Sequence, residues 1–193
     1  MNTSSGFADH ERPEVAKMYW AAFGQKLGRV MGPERKALAF IEQVLDPTHA
    51  ICARDDSGRL LGVIGFKTYH GALVGGSWRD LAQHYGQFGS LWRLALINLL
   101  ERETENHRFL MDGIFVNNLA QGKGVGTALL DAVAVEARAR DYTEIRLDVI
   151  NSNPRARALY EREGFVAGDV QRLGPLRHVF GFQSATTMIK RLI

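Results

Sequence analysis

Val116-Asn117-Asn118-Leu119-Ala120-Gln121-Gly122-Lys123-Gly124-Val125-Gly126-Thr127 is the stretch whose reading decides the fold. Before it, Phe109 to Val116 reads as a strand; after it, Gly124 to Arg140 reads as a helix. Glycines let the connecting backbone turn tightly and bring its N–H groups to a ligand without side chains in the way. The helix that follows adds unpaired N–H donors and a partial positive charge at its first turn. Strand, glycine loop and helix in this order make a cradle for a pyrophosphate.

Two other phosphate-binding patterns compete for this loop. A Walker A loop requires Ser or Thr directly after its lysine, and here Gly124 follows Lys123. A dinucleotide fingerprint, G-x-G-x-x-G, is met at Gly122 and Gly124, but Thr127 stands where the third glycine belongs. Asp148, downstream on a predicted strand, sits where a ribose-binding acid is expected, so a nicotinamide-dependent enzyme stays a rival reading. The late place of the loop, behind two helices and a hairpin, speaks against it. On the loop alone, a tight strand–helix turn without a ligand also stays open.

Downstream, Glu144 to Val149 alternates as a strand does. Pro154 to Glu163 is a helix with Asn153 as N-cap, Pro154 at the first position and Gly164 just past the end. Phe165 opens a further strand, and Thr186 to Ile193 reads as the last one. The β-α-β-α-β order argues for an α/β sheet with parallel elements. Upstream, Glu14 to Phe23 and Pro33 to Val44 read as helices, the second with Leu38, Ile41 and Leu45 at helical spacing. His49 to Arg54 and Leu60 to Tyr69 form a hairpin around Asp55-Asp56-Ser57-Gly58. Residues 71–105 are broken by glycines and carry Trp78, Tyr85, Phe88 and Trp92, with a helix from Ser90 to Arg102. This segment reads as a helical insertion that packs on the domain, a substrate lid or a subunit contact.

Composition bounds the rest. With 193 residues, 46% hydrophobic and 23% charged, the chain suits one domain with a real core. Its net charge of +3 comes from scattered arginines rather than a basic stripe, so no nucleic-acid partner is expected. Cys52, the lone cysteine, lies in the apolar run Ala50-Ile51-Cys52-Ala53 and reads as a buried thiol. One cysteine and no H-x-x-x-H pair leave no metal expected, and no G-x-S-x-G elbow is present. The start MNTSSGFADHERPE lacks a basic run followed by an apolar one. The longest apolar stretch, Leu94 to Leu100, is broken by Asn98 and falls short of the roughly 20 residues that span a bilayer. The expectation is a cytoplasmic protein with no membrane partner.

Gln121-x-x-Gly124-x-Gly126 fits the pattern Q/R-x-x-G-x-G/A, and it is followed by Asn153-x-x-Ala156-x-x-Leu159-Tyr160 and Glu163-Gly164-Phe165. These blocks, in this order, resemble the GNAT superfamily of Gcn5-related N-acetyltransferases, most specifically over residues 109–166. The resemblance implies one mixed α/β domain over residues 1–193, a central mixed sheet of about six to seven strands flanked by about four to five helices, with residues 71–105 inserted before the central strand. It implies transfer of an acetyl group from acetyl-CoA, the acyl-donor substrate, to a primary amine of a small molecule or peptide.

The resemblance also implies roles. The strand end Ile114-Phe115-Val116 would pair with the pantetheine arm of coenzyme A, splayed from its neighbour by a bulge. A backbone N–H near Phe115 and Val116 would polarise the thioester carbonyl. Gln121, Gly122, Lys123, Gly124, Val125, Gly126 and Thr127 would offer backbone N–H groups to the pyrophosphate. Asn153 and Ala156 would line the cofactor, and Tyr160 would protonate the leaving thiolate; the bland alternative for Tyr160 is a packed aromatic. Asp112 is the acid of the strand and the candidate base or water-holder, placed on one face with Ile114 by strand alternation. Its bland alternative is a structural hydrogen bond, and Asp148 and Glu103 are weaker candidates. The side chains of Lys123, Arg155 and Arg157 read as solvated surface. Two departures from the family pattern are Gln121 for the more frequent arginine and Asn117-Asn118 for the acidic-proline turn. A non-catalytic acyl-CoA-binding module on the same fold is the other alternative. For the acceptor, Tyr69, Trp78, Tyr85, Phe88 and Trp92 suggest an apolar wall for a small hydrophobic amine; a peptide N-terminus, polyamine, aminoglycoside or amino acid are equally open. A homodimer is compatible with the chain length and the aromatic insertion.

Overall fold

The computed structural model describes residues 1–100 and 108–192, and their side chains other than those at positions 25, 26 and 96–100. Glu103 and the last two residues of the helix expected to reach Arg102 lie outside the described residues. In chain order the elements are β1 (Asn2–Ser5), α1 (Arg12–Met31), α2 (Glu34–Val44), β2 (Ala50–Arg54), β3 (Leu60–Thr68), β4 (Gly71–Ala72), α3 (Trp78–Leu100), β5 (Arg108–Val116), α4 (Val125–Ala139), β6 (Glu144–Ile150), α5 (Pro154–Arg162), β7 (Val166–Arg172), α6 (Arg177–Phe180) and β8 (Ser184–Arg191). The strands form one mixed sheet in the order β1-β2-β3-β5-β6-β8-β7, with β4 beside β3.

Each face of the sheet buries its own core. On one face α4 presents Val125, Leu129, Leu130, Val133, Ala134 and Ala137, an apolar stripe at helical spacing. That stripe packs on Ile64, Phe66, Phe109, Ile145, Leu147 and Met188, and α5 adds Tyr160. On the opposite face α1, α2, α3 and α6 cover Val63, Cys52 and Phe115. Cys52 is fully buried, and burial pushes its thiol up to about 12, so it stays protonated and unreactive.

Several expectations change. The helix expected to end at Phe23 runs on to Met31. Gly24 does not stop it because it seats the Trp20 ring: a Cβ there would lie 3.0 Å from that ring. In α2 the buried face centres on Ala37, Phe40 and Ile41; of the expected row Ile41 and Leu45 are buried and Leu38 packs half-buried at the edge of the same core. The insertion is helical from Trp78, well before Ser90, with a break at Gly86 (φ 71°, ψ 170°), whose carbonyl accepts the Ser90 hydroxyl at 2.7 Å. An extra edge strand, β1, pairs with β2; all four of its residues are exposed and polar, so no alternation marks it. Instead Arg54 holds it, donating to Ser4 Oγ at 2.8 Å and, through both arms, to the Glu11 carboxylate at 3.0 and 2.7 Å. The Arg54 hydrogen bond holds Glu11 below its ordinary value. The second half is less parallel than its element order suggests. Among the described residues only β5 and β6 pair in parallel; β8 inserts between β6 and β7 and is antiparallel to both.

Candidate active site

The centre of the molecule is a place where β5 leaves β6. Parallel pairing runs from Arg108↔Glu144 to Leu110↔Arg146 and stops there. Beyond it β6 continues against β8 to Ile150, while β5 continues against β3 to Val116. The β5 edge from Met111 to Val116 therefore faces a gap. Its amides can be assigned. Asn117 N–H donates to Leu61 O at 2.8 Å, toward β3. Alternation along the strand sends the Phe115 N–H the same way and turns the Ile114 and Val116 N–H groups into the gap.

A bulge accompanies the parting. Gly65 pairs with Gly113 and Phe66 with Met111, so Asp112 is the extra residue on β5. Gly113 is required because the Phe23 ring of α1 lies where its side chain would be, with Cζ 2.6 Å from an added Cβ. The bulge also breaks the alternation on which one expectation rested. Asp112 and Ile114 do not share a face. Asp112 lines a cleft of about 380 Å³ on the α1–α3 side, whereas Ile114 and Val116 line a cleft of about 520 Å³ on the α4–α5 side.

The larger cleft contains the glycine loop. Gly122 (φ 77°) and Gly124 (φ 81°) take left-handed backbone, and an added Cβ at either would meet nothing within 4 Å, so the loop presents bare backbone to open space. Gly126 serves differently: a Cβ there would lie 2.9 Å from Leu159 Cδ2, so it permits the close approach of α4 to α5. The first amide of α4 to find an intrahelical partner is Ala128, bonded to Gly124 O at 3.0 Å, which leaves the preceding N–H groups directed out of the helix end. Gln121 is held between Asn118 (2.9 Å) and Arg155 (3.0 Å). Asn117 takes the turn-forming place of an acid by accepting from Leu119 N–H at 3.0 Å. Asn153 caps α5, accepting from Ala156 N–H at 3.1 Å, and both residues line the cleft. Thr127 also lines it and donates its hydroxyl to Glu163 at 2.7 Å.

Three of the expected residues are not among those lining this cleft. Phe115 points to the opposite core, edge-on to Tyr19 and Phe23. The Lys123 side chain is exposed. Tyr160 is buried beneath the cleft, with its ring 5.8 Å from that of Phe165. Burial raises the Tyr160 phenol above its ordinary value, so it carries its proton throughout the neutral range.

The smaller cleft gathers residues from distant parts of the chain. Tyr19 of α1 enters it, tilted against the Phe23 ring with centroids 4.7 Å apart, and its phenol is raised first by burial and then by the charge of Asp112. Asp148 faces this cleft and not the glycine loop, which removes the geometry of a ribose ligand. Its carboxylate accepts from Thr187 Oγ1 at 2.6 Å and lies 3.9 Å from Arg146. Lys67 of β3 completes the charged set. Sequence reasoning did not single out Tyr19 or Lys67; the one available signal was the Tyr19/Phe23 pair at i, i+4. Among the described residues no group of three or more His, Cys, Asp or Glu side chains could hold a metal ion, and no helix is long and apolar enough to cross a membrane.

Comparison with known proteins agrees with this architecture. A mycothiol acetyltransferase from Beutenbergia cavernae is 50% identical over 46 residues, which are 24% of this chain and only 16% of that protein's length. An N-acetyltransferase from Staphylococcus aureus Mu50 superposes with a TM-score of 0.66 over 98% of this chain and 100% of its own, at 14% identity. An acetyltransferase from Bacillus anthracis, solved in complex with acetyl coenzyme A, superposes with a TM-score of 0.50 over 74% of this chain and 61% of its own, at 17% identity. The profile of the Acetyltransferase (GNAT) family matches residues 12–165, and the chain belongs to that family.

Proposed function

We propose that the protein transfers an acetyl group from acetyl-CoA to a primary amine of a small molecule or peptide. The observation that carries this reading is the β5–β6 gap, which joins a bare-backbone cradle on one face of the sheet to an acid-lined cleft on the other. The donor would lie in the larger cleft, with its pyrophosphate on the amides of Gly122 and residues 124–127, those of Gln121 and Lys123 being bonded to Asn118 O and Ala120 O at 3.4 Å, and its pantetheine arm along the free edge of β5. The Asn153 and Ala156 end of α5 would flank it.

The chain's own groups then divide the work. The Val116 N–H, already directed into the gap, stabilises the negative charge that grows on the thioester oxygen as the amine attacks. Asp112, on the acceptor side, takes the proton the ammonium must lose, directly or through one water. Tyr160 is the candidate donor of the proton that the departing thiolate needs: its phenol carries that proton at rest, and desolvation makes the thiolate more basic as well. The two clefts hold amine and thioester on opposite sides of one strand, and that positioning supplies much of the rate.

Release of free coenzyme A thiol, followed with a chromogenic disulfide, tests this reading. The expected result is amine-dependent release, with the acetylated amine found by mass spectrometry. Binding of acetyl-CoA with no thiol release in the presence of any amine would instead favour an acyl-CoA-binding module.

A further inference from the structure

We propose that the acceptor is a small monoamine on an uncharged apolar body, such as an arylalkylamine, with Asp112 and Asp148 holding its one ammonium. The inference rests on the acetyl-transfer reading above and concerns the cleft opposite the donor.

The two carboxylates stand on neighbouring strands, at the end of the cleft where β5 and β6 part. Asp148 is fixed there by the Thr187 hydroxyl at 2.6 Å, so one acid is a rigid anchor and the other, on the bulge, is nearer the free strand edge. Away from this end the wall is apolar: Leu27, Met31, Ile41, Leu81 and Leu94 from three helices. The volume of about 380 Å³ is at the small end of ligand pockets, which run roughly 300–1,000 Å³.

The remaining charge decides among amines. Register places Lys67 beside Leu110 and Leu110 beside Arg146, a cationic row across the sheet one step from the carboxylates. A polyamine or aminoglycoside would bring its second ammonium either to this row or to the apolar wall, and both repel it. A free amino acid carries its carboxylate beside the amine, between Asp112 and Asp148, which repel it, and the Lys67–Arg146 row, which attracts it, so L-phenylalanine is the comparison that decides this case. A peptide would bury backbone amides against a wall of hydrocarbon with few partners. A monoamine with an apolar body has no second charge to place and meets the apolar wall with hydrocarbon.

The test compares initial rates at saturating acetyl-CoA for 2-phenylethylamine, L-phenylalanine, spermidine and an alanyl-phenylalanine amide. The expected result is a kcat/KM for 2-phenylethylamine that exceeds each of the others by about 100-fold, the scale on which a site rejects a mismatched charge or polar group. Asp148 binds the ammonium without taking its proton: Asp148→Asn raises KM for 2-phenylethylamine about 10-fold and leaves kcat within about 3-fold. Spermidine, phenylalanine or the peptide acetylated as well as the monoamine would overturn the inference and leave acetyl transfer standing. So would a protein that acetyl-CoA stabilises but that acetylates none of the four. If acetyl-CoA itself fails to stabilise the fold, the acetyl-transfer reading falls first and this one with it.

Discussion

Asp112→Asn lowers kcat for amine acetylation by about 10²- to 10³-fold, the usual contribution of a positioned base, and leaves acetyl-CoA binding unchanged. The substitution keeps shape and removes the charge that accepts the proton and shares in holding the ammonium, so KM for the amine rises as well. Asp112 is exposed and sits on a bulge, so the fold is expected to lose no more than about 0.5 kcal/mol. The sign of the pH dependence separates a base from a structural aspartate. An enzyme without its base depends on amine that has already lost its proton in solution, and that fraction grows tenfold per pH unit below the amine's own pKa. The variant's rate should therefore climb steeply toward alkaline pH and close much of the gap to the parent. A variant with a constant deficit at every pH, or with weakened acetyl-CoA binding, would show that Asp112 acts otherwise.

Tyr160→Phe is expected to lower kcat by about 10²-fold with a small change in stability, because the ring that packs on Phe165 is kept. The phenol is held protonated by burial, so no ionisation of Tyr160 should appear in the pH profile at or below neutrality. A structural role and an acid role differ in their response to the leaving group. If Tyr160 protonates the thiolate, an acetyl donor built on a less basic thiol needs that proton less, and the deficit of the variant shrinks. Equal deficits with both donors would assign Tyr160 to packing alone, the alternative that its absence from the cleft lining keeps in view.

Local chemistry made the donor side legible. Glycines with positive φ, an asparagine that caps α5 and a glycine that ends it are short-range signals, and Gly122, Gly124, Asn153 and Gly164 (φ 86°) all take the conformations their types suggest. The acceptor side was not legible in the same way. The bulge at Asp112 adjoins Gly113, whose missing side chain leaves the space that Phe23 of another element occupies. Strand alternation, which knows nothing of the bulge, therefore put Asp112 and Ile114 on one face. Tyr19, Lys67 and Asp148 line one cleft from three elements far apart in the chain, α1, β3 and β6. The position of β8 between β6 and β7 is likewise a matter of pairing between distant segments, which element order does not encode. The polar strand β1 is held by Arg54 rather than by an apolar face, so periodicity had nothing to register.

The central claim is that the gap between β5 and β6 and the glycine loop beside it receive an acyl-CoA thioester. Thermal unfolding with acetyl-CoA, NAD and ATP in parallel tests it most directly. Acetyl-CoA at about 100 times its dissociation constant should add about 2.7 kcal/mol of stability, and NAD and ATP should add none. Stabilisation by NAD without any by acetyl-CoA would contradict the account.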